Sequence, residues 1–328
     1  TEEGAFEVEI FKATEAASLT DLVMNTYDAI YSNMDQIILE QGTGDKIGYL
    51  LYDYTKGEHT LNDAVAFEEG DRQYNMNTDE DVAEDLGVMG GEDSTLTVNG
   101  NGYAINGNGF EGITVGDGQT LELNNIQDMN GFDPAAVAIE EGGTASIADS
   151  TFSDNYSDVV NDGTLNLSGN NVFNDGIEGD GTMLISDGTS TFNADVDQSI
   201  ITVGNEQTPQ AKATDSVMNI GTNMVTADNI NFINGSTLAL TVNSAEEYGS
   251  VIAQNITVET GAKLQATLAQ GIIQTQPVTL QLLSAENNDF NNFTDSFDNQ
   301  MYKFEKVDKN GAYKISLAKT AAQVSAEN

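Results

Sequence analysis

Ser94-Thr95-Leu96-Thr97-Val98, Gln119-Thr120-Leu121-Glu122-Leu123, Gly143-Thr144-Ala145-Ser146-Ile147, Gly163-Thr164-Leu165-Asn166-Leu167, Gly181-Thr182-Met183-Leu184-Ile185 and Ser236-Thr237-Leu238-Ala239-Leu240 are copies of one pattern. Each reads small or turn residue, Thr, then a short strand with apolar residues two apart. Thr120, Thr144, Thr164 and Thr182 follow one another at 24, 20 and 18 residues. Five of the six copies come after Asp-Gly, Gly-Gly, Asn-Gly or a similar pair. Such pairs mark corners where φ turns positive. Between the copies lies a second strand-like unit, an aromatic or aliphatic residue beside Asn or Thr: Asn125-Ile126, Thr151-Phe152, Val172-Phe173, Thr191-Phe192 and Asn231-Phe232.

Short strands with Gly/Asn/Asp corners, recurring near every 20 residues with no helix between, are the mark of a β-solenoid. One coil cannot bury its own Leu, Ile and Phe, so coils stack about 4.8 Å apart and share a core. The competing architecture is an antiparallel β-sandwich, which also spaces short strands closely. The in-register return of Gly-Thr-Leu-x-Leu favours the coil. The fold expected is all-β, a right-handed parallel β-helix with a short N-terminal helical cap and a C-terminal β-hairpin.

Three stretches follow. Residues 1–92 form a cap segment and first rungs. Ser18-Leu19-Thr20-Asp21 has the form of a helix start, and Leu22, Val23, Tyr27, Ile30 and Met34 continue an apolar stripe. That predicts a helix over about 18–36, ahead of a strand at Gln36-Ile37-Ile38-Leu39. Phe6-Glu7-Val8-Glu9-Ile10 alternates as a cap or edge strand, and residues 70–92 read as an acidic loop or insertion rather than a rung. Residues 93–285 are the central helix. Residues 286–328 hold a capping hairpin and tail: Tyr302–Val307 and Ala312–Leu317 flank Asp308-Lys309-Asn310-Gly311, whose Asn-Gly is a strong hairpin signal.

Composition excludes several functions. The 328 residues carry 11 Lys+Arg against 53 Asp+Glu, a net charge of −42, with one His, no Cys and 34 Asn. Without Cys there is no disulfide framework, Cys-type zinc site or thiol chemistry. One Arg and ten Lys supply no basic face for nucleic acid, and the charge opposes anionic membranes. Disorder is countered by 39% apolar content with 13 Phe and 11 Tyr. No apolar run is long enough to span a bilayer. The start TEEGAFEVEIF lacks signal-peptide character, so if the protein is exported, its signal is already removed. Absence of Cys suits an exported bacterial surface protein, although cytosolic and halophilic proteins share these traits.

The layout resembles the passenger region of bacterial autotransporter-type surface proteins, the right-handed parallel β-helix group that includes polymorphic outer-membrane proteins. The SLTDLV…DQIILE opening, the GTLNL-type rungs, the interleaved STFSDN and NNVFND units and the YKFEKVDKNGAYKISL hairpin carry the likeness, over about residues 15–320. No membrane barrel follows in this sequence. The resemblance implies adhesion, aggregation or surface coating, with a minority of such passengers being enzymes.

Candidate chemistry is sparse, and no catalytic, cofactor-binding or metal-binding residue is assigned. Gly107-Asn108-Gly109-Phe110-Glu111-Gly112 matches a dinucleotide fingerprint but runs into strand Ile113-Thr114-Val115 among acids, so it reads as solenoid corners. A polysaccharide-degrading enzyme is the enzymatic rival, since paired carboxylates suffice for glycoside hydrolysis. Residues 73–211 hold no Lys, Arg or His to engage an anionic glycan. His59, the sole imidazole, reads as a loop residue. Ca²⁺ is the ligand best suited to Asp117, Asp162, Asp180 and Asp187, each before a corner Gly. The calcium β-roll nonapeptide is absent, so turn propensity with loose counterion binding is the default reading and a structural Ca²⁺ the alternative. Asn155-Tyr156-Ser157 and Asn255-Ile256-Thr257 match the glycosylation pattern at a frequency chance supplies. The expectation is a non-enzymatic, extracellular or cell-surface adhesive or structural protein, its partner a host or neighbouring-cell ligand. The alternative is a filament or coat subunit binding copies of itself, by strand addition at FEVEIF or by the Lys-bearing hairpin meeting an acidic body.

Overall fold

The computed structural model describes residues 60–68, 70–205, 216–269, 277–297, 302–307 and 309–317, together with the backbone of Phe6–Val8, Ala29–Ser32, Gln36–Gln41 and Leu50–Thr55. The chain is a right-handed parallel β-helix. Three columns of strands run up its axis. Arg72–Asn75, Thr95–Asn99, Thr120–Asn124, Thr144–Ala148, Thr164–Ser168 and Thr182–Ile185 stack in parallel as the first column. Glu80–Asp81, Ala104–Asn106, Asp128–Asn130, Thr151–Ser153, Asn170–Phe173 and Thr189–Phe192 make the second. The third holds Gly87–Val88, Ile113–Val115, Val137–Ile139, Val159–Asn161 and Ile177–Glu178.

The alternation read from the sequence sets the register. Thr95, Thr120, Thr144, Thr164 and Thr182 are direct partners, half-buried on the outer side. Val98, Leu123, Ile147, Leu167 and Ile185, each three residues on, form one buried file. Each such side chain contributes roughly 1.5–3 kcal/mol on full burial. In the second column Phe152, Phe173 and Phe192 stack with centroids 5.1 and 5.5 Å apart, close to the rung spacing. Asn125-Ile126 departs from the expected unit. Asn125 is a corner at φ 54, and Met129 takes the place beside Phe152.

After residue 195 the coil changes. Val196–Val203 pairs with Ile177 of the third column at its start and with Thr182–Ile185 of the first at its end. The two columns thus fuse into one bent strand. Met224–Phe232, Ser250–Val258 and Leu283–Asn288 repeat this fusion, each in register with the one before. The second column continues through Val217–Asn219, Thr237–Val242, Lys263–Leu268 and Thr294–Phe297. The sixth Thr-Leu copy, at Thr237, therefore lies in the second column, and Asn231-Phe232 in the first. With one corner lost, the two patterns exchange faces.

Both ends are closed. The described helix is Leu61–Ala66, opened by a capping box between Thr60 and Asp63, and it buries Leu61, Ala64 and Val65 against the first rung. The helix expected over 18–36 is corrected where it is described: Ala29–Ser32 is a strand paired in parallel with Arg72–Asn75. Pairing supplies a backbone ladder that β-favouring Ile30 and Tyr31 suit. Residues 18–28 and 33–35 lie outside the described residues. Gln36–Gln41, Leu50–Thr55 and Phe6–Val8 then extend the first column as antiparallel strands. Residues 70–92 are corrected too. They are a full coil of three short strands rather than an insertion. At the far end Tyr302–Lys306 and Ala312–Leu317 form the expected hairpin, joined by Val278–Gln281. Phe297, Phe304 and Tyr313 stack across this cap. Among the described residues no helix is long and apolar enough to cross a membrane.

Candidate functional site

The abundant Asp residues are spent first on the corners. Their carboxylates accept backbone N–H groups from the adjoining coil: Asp71 from Thr95 at 2.8 Å, Asp79 from Ala104 at 2.9 Å, Asp149 from Asn170 at 2.9 Å and Asp195 from Met224 at 2.8 Å. Corner amides would otherwise lack a ladder partner, which explains why a short acceptor side chain recurs there. Asn side chains form ladders of their own. Asn99 donates to Asn75, and Asn287 to Asn255 to Asn229, at 2.8–2.9 Å.

The residues singled out from the sequence fall into this scheme. Asp162 accepts the Asp180 amide, and Asp187 that of Gly169. Asp117 packs where a Cβ on Gly142 would collide with it. Asp180 stands exposed at the rim described below. These four aspartates do not converge, and among the described residues no three His, Asp or Glu side chains gather as a metal ion needs. Gly107–Gly112 is a corner opening into Ile113–Val115, not a helix, and a Cβ at Gly107 would strike the Phe132 ring. His59 lies outside the described residues. Tyr156 is 77% exposed at its corner, while Asn155 and Ser157 are buried.

Two buried polar clusters were not legible in the sequence. Arg72, fully buried, donates to the carbonyls of Ala64 and Val65 at 2.7 and 3.0 Å and to Ser94 Oγ at 2.8 Å, tying the helix end to the first coil. Beside it Glu80 accepts from the Leu61 amide and the Tyr74 hydroxyl, at 3.1 and 2.7 Å. Burial and the Glu80 charge push the Tyr74 phenol far up, so it stays protonated. Asp158, also fully buried, accepts from Asn155 Nδ2 at 2.8 Å and the Asp175 amide at 2.9 Å. Burial outweighs those bonds and pushes its carboxyl up to about 6.

A concave surface arises where the columns fuse. Gln198, Ala227, Ala253 and Ala285 are register partners on successive coils there. The outcome is a trough of about 370 Å³. Asp180, Asp197, Asp228 and Glu286 line it with Ser199, Thr226, Gln254 and Ile252, the last 43% exposed. Gln254 donates to Asp228 at 2.8 Å. A second recess of about 630 Å³ adjoins it through Glu286, lined by Asn255, Asn287 and Asn288 and closed by Lys309 and Asn310 of the hairpin turn. Nothing in this set pairs a nucleophile with a base. Its lining is polar and predominantly acidic. No protein-family model matches the chain, and none of the curated proteins does.

Proposed function

We propose that this chain is a non-enzymatic, surface-displayed or secreted β-helical element with an adhesive or structural role, akin to autotransporter passengers. One observation carries the reading: an unbroken in-register stack whose polar side chains chiefly hold coil to coil. Ten strands in the second column, about 4.8 Å apart, make a stack roughly 43 Å tall. Such a stack offers long lateral faces, and its acidic surface resists unspecific association. Broad faces without assembled chemistry suit display and contact better than turnover.

Beads coated with the purified chain should adhere to host-cell monolayers or neighbouring bacteria above beads coated with an equally acidic control. Release of reducing ends or unsaturated products from common polysaccharides would instead assign the chain to glycan degradation. Absence of both adhesion and a contribution to envelope integrity on deletion would remove the proposal.

A further inference from the structure

We propose that the trough receives the lysine-bearing hairpin turn of a second copy of this chain. Among the described residues Ile200, Met224 and Ile252 are exposed large apolar side chains of the fused strands, and Ile252 lines the trough itself. Carboxylates at Asp180, Asp197 and Asp228 come from three consecutive coils. Exposed aliphatic carbon rimmed by acid calls for a partner with the reverse arrangement. The chain itself presents one. Val307 is 52% exposed, Lys309 stands exposed beside it, and Lys314 lies half-exposed on the adjoining strand. Lys306 is otherwise engaged, with Asp295 at 3.5 Å and the Phe290 carbonyl at 2.8 Å. Residues 73–211 hold no Lys, Arg or His, whereas five of the ten Lys fall within residues 303–319.

Within one molecule Lys309 lines the recess that shares Glu286 with the trough. A second copy's turn would occupy the Asp180–Asp228 end. The two surfaces differ, so the contact is heterologous and repeats from copy to copy instead of closing as a two-fold dimer. This inference stands apart from the adhesive reading, which holds for monomers as well.

Sedimentation velocity of the whole chain over a concentration series tests it, with circular dichroism confirming the fold of each variant. Wild type should form oligomers that dissociate as salt is raised, because the opposed charges are screened. Asp197→Lys/Asp228→Lys and Lys309→Glu/Lys314→Glu should each weaken association at least about tenfold, and an equimolar mixture of the two should restore it. A wild type that stays monomeric overturns the proposal. So does association that survives in either variant alone, or a mixture that remains monomeric.

Discussion

The coils between residues 95 and 192 and those between 196 and 288 solve one problem in two ways. In the first region each coil has three separate strands, and its corners are held by Asp and Asn side chains that accept amides from neighbouring coils. In the second, two strands merge into one of eight or nine residues, as in Val196–Val203 and Met224–Phe232, and a bend replaces a corner. The backbone ladder then runs almost uninterrupted, and Asn229, Asn255 and Asn287 reinforce it from outside. Side-chain clamps allow tight corners. A bend forgoes the clamps and opens a trough.

The largest test of that contrast is Phe173→Ala, which removes the middle ring of the stack and should cost about 3–5 kcal/mol. Coils contact only their neighbours, so hydrogen exchange should quicken around residues 150–192 while residues 225–258 keep their protection. Equal loss in both regions would show that the two unfold as one unit. Next in size is the response to pH. Asp158 is raised in the folded state above its ordinary value, so the folded state holds the proton more tightly. Its stabilising contribution is fully present below about pH 4 and is lost as pH rises through about 6, at most about 3 kcal/mol. Denaturant titrations should show that trend in the wild type and a flatter one in Asp158→Asn.

A smaller difference separates the fastenings. Asp187→Ala strips the acceptor from the Gly169 amide and should cost about 1 kcal/mol. Asn255→Ala interrupts a ladder that the backbone backs up and should cost about 0.5–1 kcal/mol. If the second loss exceeds the first, the fused strands depend on their amides more than the geometry implies. Smallest of all, Tyr156→Ala at an exposed corner should stay within about 0.5 kcal/mol of wild type.

Much of this was legible in the sequence, and the failures have physical causes. Thr95 through Thr182 fell in register because each copy keeps its two-residue alternation, and all but the first its Gly or Asp-Gly corner. Thr237 looked the same locally, yet the corner that vanished within Val196–Val203 moved it to another face. The clue was an absence: VDQSIITV, MVTADNINF and SVIAQNITV contain no glycine. The coil at 72–88 escaped notice because strands such as Glu80–Asp81 and Gly87–Val88 are too short and polar for alternation to register. Thr60–Asp63 carries the same helix-start form as Ser18–Asp21, but its six-residue helix gives no stripe to read. The trough depends on the bend and could not be seen without it.

The uneven spacing of otherwise superimposable coils has an evolutionary consequence. Thr95, Thr120, Thr144, Thr164 and Thr182 are direct partners although 25, 24, 20 and 18 residues separate them. All the variation is absorbed in the corners. A gene encoding such a molecule can gain or shed a turn by duplicating or deleting some two dozen codons. Only the two abutting layers must then agree, so reach can drift between lineages while the design persists.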